Sequence, residues 1–202
     1  MLVDLSVALN EGTPVYPGDP ETKITAAGVL EQNGFQDHYV CMGTHVGTHI
    51  DAPSHMIVGG KNLNEFPLER FTGRGVHIPV QDTFDIDVVK NAGVGEGDIV
   101  LFDTGLSVKY GDPEYFSNYP AMSEEVAAYL VEQKVSMVGI DTCSIDNQEG
   151  FPIHKQLLSA EILLIENLTN LKALERESFI VHAYPIKLEI DGAPVRVVAE
   201  VS

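Results

Sequence analysis

The sequence predicts an α/β fold in one domain. Three observations carry that expectation. Two apolar runs bounded by turn residues, Asp98-Ile-Val-Leu-Phe-Asp103 and Val135-Ser-Met-Val-Gly-Ile140, read as buried strands. Between them Ser123 caps a helix from Glu124 to Lys134, with acids in the first turn where the helix dipole favours them. Such a strand, helix, strand unit is expected to form a right-handed parallel crossover. Finally, 202 residues with a hydrophobic fraction of 44% fit one domain with a substantial core, and no linker, repeat or low-complexity segment divides them.

The other elements follow in order. Residues 2–9 read as a first strand, followed by a rigid loop, Thr13-Pro-Val-Tyr16-Pro17-Gly18-Asp19-Pro20. Residues 22–30 and 38–46 read as two strands around an Asn33-Gly34 turn, the second running into a group of histidines. Leu63 to Phe71 suggests a short helical turn, Val76 to Val80 a strand, and Asp85 the cap of a helix through Asn91. Residues 105–122, rich in Tyr, Gly and Pro, form a long loop suited to a lid or an oligomer contact. His154 opens a helix through Ala160, Ile162 to Glu166 is a buried strand, and residues 171–175 are a helical turn. Phe179 to Ile190 and Val195 to Val201 read as a hairpin about Asp191-Gly192.

The chemistry concentrates in His45-Val-Gly-Thr-His49-Ile-Asp51-Ala-Pro-Ser-His55, which holds three of the seven histidines. His45, His49, Asp51 and His55 all occupy odd positions, so an extended backbone would turn them to one face. A helix is disfavoured by Gly43, Gly47 and Pro53. Imidazoles with a carboxylate suit borderline divalent ions such as Zn, Mn or Fe; the plain alternative is a polar strand with surface histidines. Glu166 ends a run of four apolar residues, where a carboxylate is paired, neutral or bound to a metal unless it reaches solvent at the strand end. His154 lies twelve positions earlier across a helix and a turn, a path that could bring both to one place. Asp141 and Asp146 follow a buried strand and read as loop hydrogen-bonders rather than ligands. His38, His77 and His182 read as structural.

The formal net charge of −18 argues against nucleic acid or an anionic membrane as a partner. Two cysteines are too few for a disulfide scaffold, and Cys41, beside the histidine run, is expected to be a small buried residue rather than a sulfur ligand. No signal peptide or membrane span is read, so a cytoplasmic location is expected.

With the histidine motif in view, the chain resembles the metal-dependent cyclase family, which includes bacterial kynurenine formamidases and isatin hydrolases. Tyr16-Pro-Gly-Asp19, Gly139-Ile-Asp-Thr-Cys-Ser-Ile-Asp146, His154-Lys-Gln-Leu-Leu158, Glu166-Asn-Leu-Thr-Asn-Leu171 and Gly192-Ala-Pro-Val-Arg196 extend the resemblance over nearly the whole chain. It implies a compact mixed α/β domain with a β-barrel-like core, in dimers or tetramers, with pocket residues sometimes supplied by a neighbouring subunit. It also implies that His45, His49 and Asp51 bind a first ion, Zn or Mn. Asp51 would bridge to a second ion held by His154 and Glu166. His55 matches the family's proton donor and acceptor, and Tyr16 a substrate-contacting aromatic that is tryptophan in formamidases, a departure that puts N-formylkynurenine in doubt. Isatin hydrolase-like members carry a neutral amide at the late glutamate position, so Glu166 leans toward the two-ion form.

The expected activity is therefore hydrolysis of an amide, formyl or cyclic, in a small molecule, with a divalent ion lowering the pKa of water and His55 moving the proton. Two rivals remain at this level. His49-x-Asp51 with a distant histidine is also the facial triad of non-haem iron oxygenases, with Arg196 after His182 as a loose oxoglutarate contact. The other rival is a non-catalytic metal-binding protein.

Overall fold

Eleven strands and four α-helices succeed one another along the 202 residues, all of which the computed structural model describes. In chain order they are β1 (Leu2–Asp4), β2 (Lys23–Gly28), α1 (Leu30–Asn33), β3 (Asp37–Cys41), β4 (His49–Asp51), β5 (Thr72–Pro79), α2 (Ile86–Asn91) and β6 (Ile99–Asp103). There follow α3 (Glu124–Gln133), β7 (Met137–Ile140), α4 (Pro152–Ser159), β8 (Leu163–Glu166), β9 (Phe179–His182), β10 (Gly192–Pro194) and β11 (Val198–Val201). Nine strands make one curled sheet in the order β1-β11-β9-β5-β6-β7-β8-β4-β10. Its centre, β5 through β8, is parallel, and both flanks are antiparallel. The expected crossover is present: β6 and β7 pair in parallel with α3 between them.

The parallel strands read as unbroken apolar runs because both of their faces are covered. Ile99 and Leu101 of β6 join one core with Leu163 and Ile165 of β8. Val100 and Phe102, one residue out of phase, join the second core under α2, α3 and α4 with Val126, Leu130 and Leu157. Ser123 caps α3 by accepting from the Val126 N–H. The helices thus close one face, and the C-terminal strands with the loops around Leu5, Phe71 and Leu174 close the inside of the curl. No helix is long and apolar enough to cross a membrane.

Several boundaries differ from the sequence expectation. The first strand stops at Asp4; Ser6 then makes a bridge to Leu168, and Val7 N donates to Thr48 Oγ1 instead of continuing a ladder. The 22–30 and 38–46 strands do pair as a hairpin, with Gly34 left-handed at its turn, but β3 ends at Cys41 and never reaches the histidines. Every residue of β3 is exposed, Cys41 included, so Cys41 is no core residue. Leu63 to Phe71 holds two 3-10 turns. The C-terminal hairpin holds in its outer strands and is corrected at its turn, Asp191-Gly192. β9 pairs with β11, while β10 starts at Gly192 and pairs with β4 far along the sheet. The hydrophobic alternation there satisfied two different partners, which local pattern cannot distinguish.

Candidate metal centre

β4 lies between β8 and β10, with His49 opposite Glu166 and Asp51 opposite Gly192. Alternation then turns His49 and Asp51 to one face and Ile50 to the core on the other. The odd-position argument holds for these two residues only. His45 stands in a turn before the strand, and His55 ends a 3-10 turn, Pro53–His55. Chain reversal on both sides of β4, rather than one extended run, brings all four together.

His45 Nδ1 lies 2.7 Å from Asp51 Oδ1, and His49 Nε2 lies 3.3 Å from the same oxygen. His154, from the first turns of α4, places Nε2 3.1 Å from Glu166 Oε1 and 3.8 Å from Asp51 Oδ2. Two groups therefore share Asp51: His45, His49 and Asp51, and Asp51, His154 and Glu166, with ligand atoms within 4.8 Å of one another in each. A third group joins His45, His55 and Asp191.

Second partners orient the rings. The His49 Nδ1–H donates to Gly47 O at 2.8 Å, which leaves Nε2 toward the carboxylates. That carbonyl also accepts from Asn167 Nδ2, and Tyr115 OH donates to Asn167 Oδ1, so the residue after Glu166 braces the first histidine loop. Asp146 Oδ2 accepts from His154 Nδ1 at 2.7 Å and from the His154 backbone N–H at 2.8 Å. Asp146 and Asp141 are both hydrogen-bonding residues, as expected; Asp141 accepts from Thr104 and Ser107. A Cβ at Gly192 would stand 2.5 Å from His45 Cε1 and 3.0 Å from Ile50 O, so only glycine allows this approach.

The sequence reading missed Asp191 and Asn167. Asp191 Oδ2 accepts from His45 Nε2 at 2.9 Å and from His55 Nδ1 at 3.3 Å. Nothing near Asp191 in sequence marks it, because its partners are 146 and 136 positions away. Asn167 carries a local hint, adjacency to Glu166 in an Asn-Leu-Thr-Asn run.

Burial opposes charge on His45, but the Asp51 and Asp191 carboxylates outweigh it and raise its pKa to about 9. Burial likewise works against His154, and its bonds to Asp146 and Glu166 lift it to about 10. Asp51 pays desolvation yet sits well below the usual carboxylate range because His49 and His45 face it. His55 differs: burial lowers its pKa, and Asp51 only partly offsets that, so it favours the neutral base. Burial and the nearby Glu166 push the Cys143 thiol up to about 12, which makes it a poor nucleophile.

One buried atom tests whether these residues fit a cation. Asp51 is 1% exposed, and its Oδ2 has no hydrogen-bond partner. A buried lone oxygen of this kind is costly unless something positive meets it. Histidine nitrogens and carboxylate oxygens on both sides are the donor set that borderline divalent ions take. The fit is good.

Beside the cluster opens a cavity of about 290 Å³, near the lower end for small-molecule sites. Its wall includes Tyr16, Met56, Phe116, Phe151 and Asp19, and its floor His45, His49, Asp51, His55, His154 and Glu166. Tyr16 meets Phe116 edge-on at 6.4 Å. Phe116 comes from the 105–122 loop, which Tyr115 pins to the Asp141 carbonyl and to Asn167. Three residues lie elsewhere. His77 bonds Asp103, His182 bonds Thr72 and Glu200, and Arg196 pairs with Asp4. The oxoglutarate contact considered for Arg196 is therefore absent from this cavity.

Residues 3–147 match the Cyclase family model. The chain belongs to that family. Its cyclase relatives include an uncharacterised protein of Methanocaldococcus jannaschii, 38% identical with 91% of each chain covered. A kynurenine formamidase of Geobacillus thermodenitrificans is 29% identical over 96% of this chain and 94% of its own. Among solved cyclase-fold structures, a potential metal-dependent hydrolase with cyclase activity superposes with a TM-score of 0.83 at 33% identity, covering 98% and 96%. Isatin hydrolase A from Labrenzia aggregata gives 0.88 at 24% identity, covering 98% and 93%, a likeness of fold.

Proposed function

We propose that this protein is a metal-dependent amidohydrolase that cleaves a non-peptide C–N bond, formyl or cyclic, in a small organic molecule. The observation that carries the reading is Asp51, shared by two His/carboxylate groups with its buried Oδ2 unpartnered, at the floor of an aromatic-walled cavity. His45, His49 and Asp51 would hold one ion, and His154 and Glu166 with Asp51 a second, Zn or Mn in either place. A divalent ion there supplies Lewis acidity, polarising the carbonyl and lowering the pKa of water from 15.7 toward about 7. His55 takes a proton through Nε2, since Nδ1 is held toward Asp191, and returns it to the leaving nitrogen. Tyr16 and Phe116 orient the substrate's ring. No serine or cysteine nucleophile is needed, in keeping with the raised Cys143 thiol.

A cyclic lactam, as an isatin hydrolase-like reading would have it, is the alternative substrate form. The carboxylate at Glu166 supports the two-ion formamidase-like form over it. We also infer a homodimer or homotetramer, supported by a β2–β3 hairpin that pairs only with itself and exposes Phe35 (55%) and Tyr39 (66%). The two unbridged cysteines support a cytoplasmic location. The direct test is elemental analysis of protein purified without added metal, then a hydrolysis screen of formanilides, lactams and esters at that metal. Metal-loaded protein that hydrolyses none of them, or that instead consumes oxygen with Fe(II), would overturn the reading.

A further inference from the structure

We propose that the non-reacting end of the substrate is neutral or cationic, and that Asp19 at the cavity mouth selects against an anion there. The proposal rests on the amidohydrolase reading above and names the substrate class for that site. The chain carries 12 Lys and Arg against 30 Asp and Glu, and none of the twelve lines the cavity. An adjoining hollow shares Tyr16, Phe116 and Phe151 with it, contains Glu149, and likewise has no Lys or Arg in its wall. The only cationic side chains within the cavity are histidines, and His45, His49 and His154 are each engaged by carboxylates at the floor.

An arm extending outward from the reacting carbonyl therefore passes aromatic faces and meets acids. Asp19 is held at that mouth by a turn in which its N–H donates to Tyr16 O at 2.9 Å, with Gly18 at φ +103°. Its carboxylate enters none of the protein's ion pairs. An ammonium arm would gain Asp19 and the flat faces of Tyr16, Phe116 and Phe151, which attract cations. A sulfonate or carboxylate arm would lose hydration, find no Lys or Arg to pair with and face like charge. Specificity of this sort comes from a repulsive element as much as from an attractive one.

The experiment uses the metal-loaded full chain with formanilide and two derivatives, bearing an aminoethyl or a sulfoethyl arm on the ring. The corresponding anilines are measured as ligands by calorimetry. Sulfonate is chosen because it coordinates divalent ions weakly, so the arm reports on the wall. The expected order of kcat/KM is ammonium, neutral, sulfonate. The ammonium compound should lead the neutral one about two- to five-fold, the size of an exposed ion pair, with sulfonate at least roughly ten-fold below neutral. Asp19→Asn should narrow the ammonium-to-sulfonate ratio, and Asp19→Lys should narrow it further or invert it. A sulfonate compound turned over within two-fold of the neutral one, or a ratio unmoved by Asp19→Lys, overturns the proposal. If none of the formamides is hydrolysed while the anilines bind in the expected charge order, the hydrolase reading falls and the selectivity stands. Anilines that bind without charge order overturn the selectivity.

Discussion

Asp146→Asn separates a residue that aims a candidate ligand, His154, from one that merely holds a loop. The Asp146 carboxylate is buried and accepts three bonds: from Ile153 N at 3.1 Å, His154 N at 2.8 Å and His154 Nδ1 at 2.7 Å. It caps the start of α4 from the loop that leads into it and, through Nδ1, turns Nε2 of His154 toward Glu166 and Asp51. Asparagine keeps the volume but replaces one acceptor oxygen with an NH2 group, so at least one of three buried donors loses its partner. That costs about 1–3 kcal/mol of stability. Loss of the carboxylate that sets a ligating histidine costs roughly 10–100-fold in metal affinity. Asp141→Asn is the matched control, because Asp141 is equally buried and accepts from Thr104 N, Thr104 Oγ1 and Ser107 N without touching a candidate ligand. Denaturant unfolding in chelator gives the stability change, and calorimetric titration of stripped protein with Zn or Mn gives the affinity. Both variants should lose stability, and only Asp146→Asn should lose affinity for one of the ions. Equal affinity in the two variants would refute the role assigned to Asp146.

The remaining predictions concern the proton carrier, the metal-free state and assembly. His55→Ala should retain its metal and lose about 10²–10⁴-fold in kcat; metal content by elemental analysis beside wild-type turnover would remove His55 from the mechanism. In metal-free protein His45 and His154 hold protons to about 9 and about 10, against about 6.5 when unfolded. Raised histidine pKa values stabilise fully below about 6.5 and less as pH climbs through the folded values. The melting temperature of chelated protein should thus fall between about pH 6.5 and 10, and added metal, which replaces those protons, should flatten the trend. A flat profile in chelator would contradict the ion-pair account of the cluster. For assembly, Tyr39→Asp on the exposed hairpin should shift the oligomer toward monomer in analytical ultracentrifugation, and an unchanged sedimentation profile would exclude that surface.

What could be read from the sequence was whatever depends on neighbours a few residues away. Ser123 with its acids announced α3, the runs at 99–102 and 137–140 announced strands covered on both sides, and the crossover between them followed from chain handedness. His49 and Asp51 sharing a face followed from the two-residue period, and the donor chemistry of the motif followed from residue type alone. Tertiary structure decided the rest. His45 and His55 reach the same centre through turns on either side of β4, and Glu166 joins them because the register of β4 on β8 sets it opposite His49. Asp191 arrives from the far end of the chain because β10 chooses β4 over its own neighbours. Strand partner and register are settled by the total burial and pairing of the sheet, a sum over distant residues that no local window contains.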